Sequence, residues 1–156
     1  MKLIIAEKPS LAKNIATALK VSKVKNGYIE GNGYIISWAF GHLFSLKNVD
    51  DYLGEKKKWN EVNLPFIPTE FEFMLKQDKK TKKTDSQVKK QFETLKSLVN
   101  RKDVTEIVNC GDADREGQII IDIILKQIRT NKTVTRLWLP EQTEDTIISS
   151  MQNLKD

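Results

Sequence analysis

Residues 106–118 constrain this chain most. Glu106-Ile107-Val108-Asn109-Cys110 has the length and content of a short buried strand. It runs into Gly111-Asp112-Ala113-Asp114-Arg115-Glu116-Gly117-Gln118, an acid-rich turn between two glycines. Ile119, Ile120, Ile121, Ile123, Ile124, Leu125 and Ile128 follow, and a helix apolar over so much of its surface belongs between packed layers. Strand, polar turn and helix in that order make a βα unit.

The start of the chain repeats the pattern. Residues 2–6 (Lys-Leu-Ile-Ile-Ala) read as a buried strand ending at Glu7 and Lys8. Pro9 and Ser10 then open a helix whose Leu11, Ile15 and Leu19 recur at i, i+4 and i+8. Tyr28-Ile29-Glu30 and Tyr34-Ile35-Ile36-Ser37-Trp38 flank Gly31-Asn32-Gly33, a hairpin signal. These glycines lead into a strand, not a helix, so they are not a dinucleotide-binding loop. Residues 41–70 read as irregular, with a basic knot at Lys56-Lys57-Lys58. Phe71, Phe73 and Leu75 alternate with charged residues as in a half-buried strand, and the lysine-rich stretch 76–84 reads as an exposed loop. Thr84 with Gln87 resembles a capping box ahead of a helix striped by Val88, Phe92, Leu95 and Val99. A strand over 133–139 and a last helix capped by Thr143 complete the pattern.

The order is βα, a β-rich excursion, then αβαβα. It predicts an α/β fold over residues 1–156 as one domain: a Rossmann-like parallel sheet flanked by helices, with a hairpin-rich insertion after the first βα unit.

Composition removes whole classes of function. Hydrophobic residues are 39% and charged residues 30%, enough for a packed core and too apolar for a disordered chain. No apolar run approaches the roughly 20 residues of a membrane helix, and the chain turns acidic at Glu7, too early for a signal peptide. The expected setting is cytoplasmic. One cysteine, Cys110, excludes a disulfide framework and a thiolate zinc site, and one histidine, His42, excludes a multi-histidine site. Twenty-six Lys and Arg against 21 Asp and Glu permit a polyanionic partner without demanding one.

Ligands of α/β sheets bind at the carboxyl ends of the strands. Two strands here end in acids: Glu7 after the first, and Asp112, Asp114 and Glu116 after the one at 106–110. If the strands are neighbours, four carboxylates converge and repel one another. A hard divalent cation relieves that conflict, and Mg²⁺ takes a few carboxylates while leaving room for water and phosphate. The plain alternative is a solvated helix start, where acids are favoured anyway. Lys8 can hold a phosphate or pair with an acid. Arg115 can grip a phosphate bidentately or balance its acidic neighbours. His42 is a structural histidine or a neutral imidazole near phosphate. Trp38, Phe40 and Trp59 read as core, with base stacking the sharper alternative. Cys110 reads as a small core residue.

Ala6-Glu7-Lys8-Pro9-Ser10 together with Gly111 through Gln118 resembles the Toprim domain of type IA DNA topoisomerases. Gln118, where a glutamate is the alternative, points to the topoisomerase III branch. Gly41-His42-Leu43, Lys58-Trp59, Leu64 through Pro68 and Arg136-Leu137-Trp138 follow in that family's order, so the likeness spans nearly the whole chain. Pro140-Glu141-Gln142 departs from the small, serine-rich residues of the family pattern before Thr143.

The resemblance implies an α/β sheet sandwich holding Mg²⁺ beside a DNA cleavage site. Asp112, Asp114 and Glu116 would bind or support the metal. Glu7 would sit at the scissile phosphate, as metal partner or as proton donor to the leaving 3′ oxygen. Lys8 would stabilise that phosphate, and Lys8, Arg115 and His42 would contact single-stranded DNA. The implied reaction is transesterification through a 5′-phosphotyrosine without ATP, consistent with the absence of a Gly-x-x-x-x-Gly-Lys-Ser/Thr loop. The family's tyrosine lies in a downstream domain, and Tyr28, Tyr34 and Tyr52 do not match its motif. The chain therefore reads as a fragment of a longer, nucleoid-associated topoisomerase, inactive alone, with the remaining domains as partners and a helicase as a further candidate.

Three other readings compete: a stand-alone Toprim nuclease or phosphohydrolase using the same acids to activate water, a phosphoacceptor signalling domain, and a non-catalytic nucleic-acid-binding module. The Glu-Lys-Pro-Ser start argues against the first. The second needs a lysine after a later strand, where this chain has Leu139-Pro140.

Overall fold

Lys2–Ala6 forms β1, and its alternation divides the molecule. Leu3 and Ile5 point to one face of a sheet, Ile4 and Ala6 to the other, and all four are fully buried. Only a strand covered on both sides can be apolar at every such position. The computed structural model describes residues 1–54, 65–78 and 80–156.

Around β1 the chain adds α1 (Pro9–Ala18), β2 (Lys23–Lys25), β3 (Tyr28–Gly31) and β4 (Tyr34–Trp38). Next come β5 (Phe44–Leu46), α2 (Val49–Leu53) and β6 (Phe73–Leu75), then α3 (Ser86–Val99), β7 (Glu106–Cys110), α4 (Arg115–Ile128), β8 (Thr133–Arg136) and α5 (Glu144–Met151). Six strands make one sheet in the order β2-β3-β4-β1-β7-β8, and β5 pairs with β6 in a small second sheet. β4, β1, β7 and β8 are parallel, whereas β2, β3 and β4 form an antiparallel meander on one side. The expected parallel sheet with a hairpin-rich insertion is what forms, and the hairpin joins the main sheet through β4.

One face carries Leu3, Ile5, Ile35 and Ile107 against Leu95 and Val99 of α3 and Ile121 and Ile124 of α4. The opposite face carries Ile4, Ile36, Val108 and Cys110 against Leu11 and Ile15 of α1 and Ile147 of α5. Phe44 and Phe92 meet edge to face at 5.0 Å, tying the small sheet to α3. Buried Gln91 on α3 donates to Gly27 O at 3.2 Å, Ser37 Oγ at 3.2 Å and Trp38 O at 2.8 Å, fixing the hairpin to the same helix.

Local details differ from the sequence expectations. The cap of α3 is Asp85, not Thr84: Asp85 Oδ1 accepts from Gln87 N at 2.8 Å and Val88 N at 3.2 Å, and a carboxylate there also gains from the helix dipole. Strand β8 stops at Arg136, short of the expected 139; beyond it Leu137 and Leu139 are buried against α1 and α5 while Trp138 stays 39% exposed. Phe71 lies outside β6 and is exposed, as is Phe40, which was expected in the core. The stretch 41–70, expected to be irregular, contains β5 and α2, and Lys23–Lys25 forms an edge strand that its charge had hidden. Ile119 of the apolar helix is 43% exposed, so α4 is covered on one side rather than all round. Cys110 is buried as expected. The basic knot at 56–58, Trp59, Leu64 and Lys79 lie outside the described residues.

Candidate functional site

β1 and β7 are adjacent and in register, Ala6 beside Cys110, so their carboxyl ends emerge together. The register sets Glu7 and Lys8 beside Gly111 and Asp112. The backbone N–H of Asp112 donates to Glu7 Oε2 at 3.0 Å, and Lys8 Nζ donates to Asp112 Oδ2 at 2.8 Å. On the other side of β1, Gly41 N donates to Glu7 O at 3.0 Å, which brings in the Gly41-His42-Leu43 turn. His42 Nε2 lies 3.1 Å from Glu116 Oε1.

The turn after β7 is built by close approach. A Cβ on Gly111 would lie 2.0 Å from Gly117 O, and one on Gly117 would lie 2.4 Å from Asp112 N and O. Both contacts are with backbone, which cannot swing aside, so any side chain at either position forces the turn open. Asp114 caps α4, its Oδ1 accepting from Gly117 N at 2.7 Å, and Glu116 sits in the first turn of that helix.

The four sequence-selected acids therefore occupy one end of the sheet, but each is engaged differently. Glu7 and Asp112 face each other across the β1–β7 junction, Asp114 serves as cap, and Glu116 reaches His42. Arg115 is exposed beside them. Among the described residues, no three His, Cys, Asp or Glu side chains are gathered as a ready metal cage. The donor set nonetheless suits Mg²⁺, which needs few protein ligands and takes oxygen throughout. Glu7 spends one carboxylate oxygen on Asp112 N and Asp112 spends one on Lys8, leaving each a second to offer. The local field already favours a cation. Lys8 is raised above the usual lysine range by its hydrogen bond to Asp112 against a smaller effect of burial, and the charges of Asp112, Glu7 and Asp114 all add to the rise.

Sequence reasoning missed what stands behind the turn. Arg136, 7% exposed, sends its guanidinium under residues 109–112. Asn109 accepts from Gly111 N at 3.0 Å and donates to Asp122 at 3.1 Å, and Gln118 Nε2 donates to both oxygens of Asp122 at 2.9 Å. The polar Asn109 within an otherwise apolar buried strand was the visible signal.

The model of the Toprim domain matches residues 2–141. A Bacillus anthracis protein named DNA topoisomerase 3 is 40% identical over 153 residues, covering 98% of this chain and 20% of the relative. The protein of the same name from Bacillus thuringiensis (strain Al Hakam) gives the same identity and coverage. That from Shouchella clausii (strain KSM-K16) is 39% identical over 155 residues, covering 99% of this chain and 20% of the relative. The chain thus spans about a fifth of the length of these relatives. No helix among the described residues is long and apolar enough to cross a membrane. The paired strand ends, the glycine-framed acidic turn and a matched region running almost end to end together show that this chain belongs to the Toprim domain family, in the form found in the N-terminal region of bacterial DNA topoisomerase 3.

Proposed function

We propose that this chain is the Mg²⁺-binding, phosphate-handling domain of a type IA topoisomerase that cleaves, passes and rejoins single-stranded DNA. The observation that carries this reading is the junction of the two strand ends, Asp112 N to Glu7 Oε2 at 3.0 Å with Lys8 on Asp112 at 2.8 Å. It groups acidic oxygens and a mobile cation at one point, the requirement for positioning a phosphodiester.

Asp112 and Asp114 hold the metal, with Glu7 or Glu116 completing its protein ligands. Bound there, Mg²⁺ supplies divalent charge beside the phosphate. Lys8, a point charge on a flexible stem, exchanges its carboxylate partner for a phosphate oxygen. Glu7 lies at the scissile phosphate, as metal partner or as the acid that protonates the leaving 3′ oxygen. Arg115 and His42 flank the strand and contact its backbone. The tyrosine that takes the 5′ phosphate comes from another domain of the longer protein. Because the covalent bond conserves the phosphodiester energy, the reaction uses no ATP. The setting proposed is the cytoplasmic nucleoid, with a helicase as a candidate partner, and residues 1–156 as one Toprim domain.

Calorimetric titration of the chain with MgCl₂ tests the reading. The wild type is expected to bind and the Asp112→Asn, Asp114→Asn double variant to lose the binding heat. An unchanged isotherm in the double variant, or none in the wild type, removes the metal site.

A further inference from the structure

Arg136 is a buried charge with one donor unsatisfied, and no step above uses it. It closes β8, and its guanidinium is buried beside the C-terminal end of β7. Nη1 donates to Asn109 O at 3.2 Å, to Asn109 Oδ1 at 3.1 Å and to Gly111 O at 3.0 Å, and Nη2 donates to Asp112 O at 2.7 Å. Nε is buried with no hydrogen-bond partner. Trp138 screens the group, its ring centre 5.4 Å from Cζ, and Lys155 pairs its backbone with that of Arg136 on the open edge. A desolvated guanidinium with one donor unsatisfied is a poor way to stabilise a core, since apolar residues of like volume do as well or better.

Its partners show what it does. Three of the four acceptors are on residues 109–111, and the fourth is the carbonyl of Asp112. The N–H of Asp112 is held in front by the Glu7 carboxylate, and the carbonyl of Asp112 is held behind by the Arg136 guanidinium. Side chains of opposite charge thus reach both peptide groups of one residue, and the Asp112 carbonyl also accepts from Asp114 N within the turn at 2.7 Å. This sets the Cα–Cβ direction of Asp112, from which Lys8 holds the carboxylate at 2.8 Å. Asn109 is locked in the matching orientation: its amide nitrogen is taken by Asp122, so its oxygen must face Gly111 N and Arg136. Gln118 holds Asp122 by donating to it, which a glutamate at that position could not do without bringing two carboxylates together.

We infer that Arg136 is a positioning residue for the acidic turn, a two-nitrogen clamp that aims the Asp112 carboxylate opposite Glu7. The metal arm of its test rests on the proposed function; the exchange arm does not. Lysine keeps the charge but has one nitrogen, so it cannot span Gly111 O and Asp112 O as the planar fork does. In Arg136→Lys, the amides of Gly111, Asp112 and Gly117 are expected to lose at least tenfold of their hydrogen-exchange protection while β1 and β7 amides keep theirs. The Mn²⁺ dissociation constant is expected to rise about tenfold or more, the usual effect of losing a residue that orients a ligand. Turn amides that stay protected, or fall only in step with the strands, overturn the assignment. Absence of Mn²⁺ binding in the wild type would sink the metal site and leave the exchange result to decide on Arg136. If Arg136→Lys does not fold, the wild type decides: a clamped Arg136 shows separate, slowly exchanging Nη proton signals, and a single averaged signal overturns the clamp.

Discussion

The backbone N–H of Asp112 and the side chain of Glu7, 105 positions apart, are joined by a 3.0 Å hydrogen bond. The contact exists because β1 and β7 lie side by side in register, so two strand ends become one surface. It makes the geometry of the acidic turn depend on the first residues of the chain as much as on its own glycines.

Asp114 performs two tasks that substitution separates. Asparagine is as good a cap as aspartate, so Asp114→Asn should weaken Mg²⁺ binding with little change in melting temperature. Asp114→Ala should lose the cap as well, costing about 1 kcal/mol. Calorimetry for the metal and urea unfolding for stability read the two effects apart. Equal stability loss in both variants would mean the cap is not what Asp114 provides.

The two glycines of the turn should tolerate no side chain. Gly111→Ala and Gly117→Ala each drive a methyl into backbone at 2.0 to 2.4 Å and should cost about 3 kcal/mol or more, beyond ordinary overpacking. Urea denaturation measures this. A loss under about 1 kcal/mol would show that the turn can open freely.

Glu106 gives an acid-side signature. Burial acts to raise its pKa, but hydrogen bonds from Lys2 and Thr135 and the charge of Lys2 outweigh it and leave it below its ordinary value of 4.5. A carboxyl held low when folded contributes stability above its unfolded pKa, and that contribution disappears as pH falls through the folded value. Glu106→Gln should therefore lower the melting temperature at pH 7 and leave it nearly equal to wild type near pH 3. A constant difference across that range would refute the ion pair's part in it.

Cys110 is fully buried and its thiol is pushed up to about 12 by burial, so it should ignore a thiol reagent at pH 8 until the chain unfolds. Labelling kinetics in rising urea should track global unfolding. Rapid labelling of the native protein would show that the end of β7 opens on its own.

The chain alone should not relax supercoiled DNA, since none of Tyr28, Tyr34 and Tyr52 stands beside Glu7 or Asp112. Tyr28 and Tyr34 lie on the β3–β4 hairpin, and Tyr52 bonds to the Glu70 carbonyl in the excursion. A gel assay with Mg²⁺ checks this, and relaxation above a mock preparation would place a nucleophile within these residues.

The parts of this structure written in local patterns were readable from residues alone. Leu3, Ile4 and Ile5 announce a strand buried on both faces, and Leu11, Ile15 and Leu19 the helix that follows. The acids at 7, 112, 114 and 116 are legible at strand ends from the residues alone. What was not legible depended on partners distant in sequence. Lys23–Lys25 becomes a strand because β3 offers it an edge, against its own composition. Thr84 and Asp85 compete for one cap, and a carboxylate beats a hydroxyl at a helix dipole. Arg136 is legible only as part of the Arg136-Leu137-Trp138 resemblance, because nothing in its neighbourhood of sequence reveals that its guanidinium lies beneath residues 109–112.

The placement of β1 has a consequence for biosynthesis. β1 is made before either of its partners, yet it occupies the interior of the sheet, between β4 and β7. Until residue 110 has been made, one side of this apolar strand has no neighbour, and an unpaired edge of that kind invites pairing with other chains. Nascent chains halted anywhere between β4 and β7 are the species on which a chaperone would act, and the acidic turn cannot take shape until that wait is over.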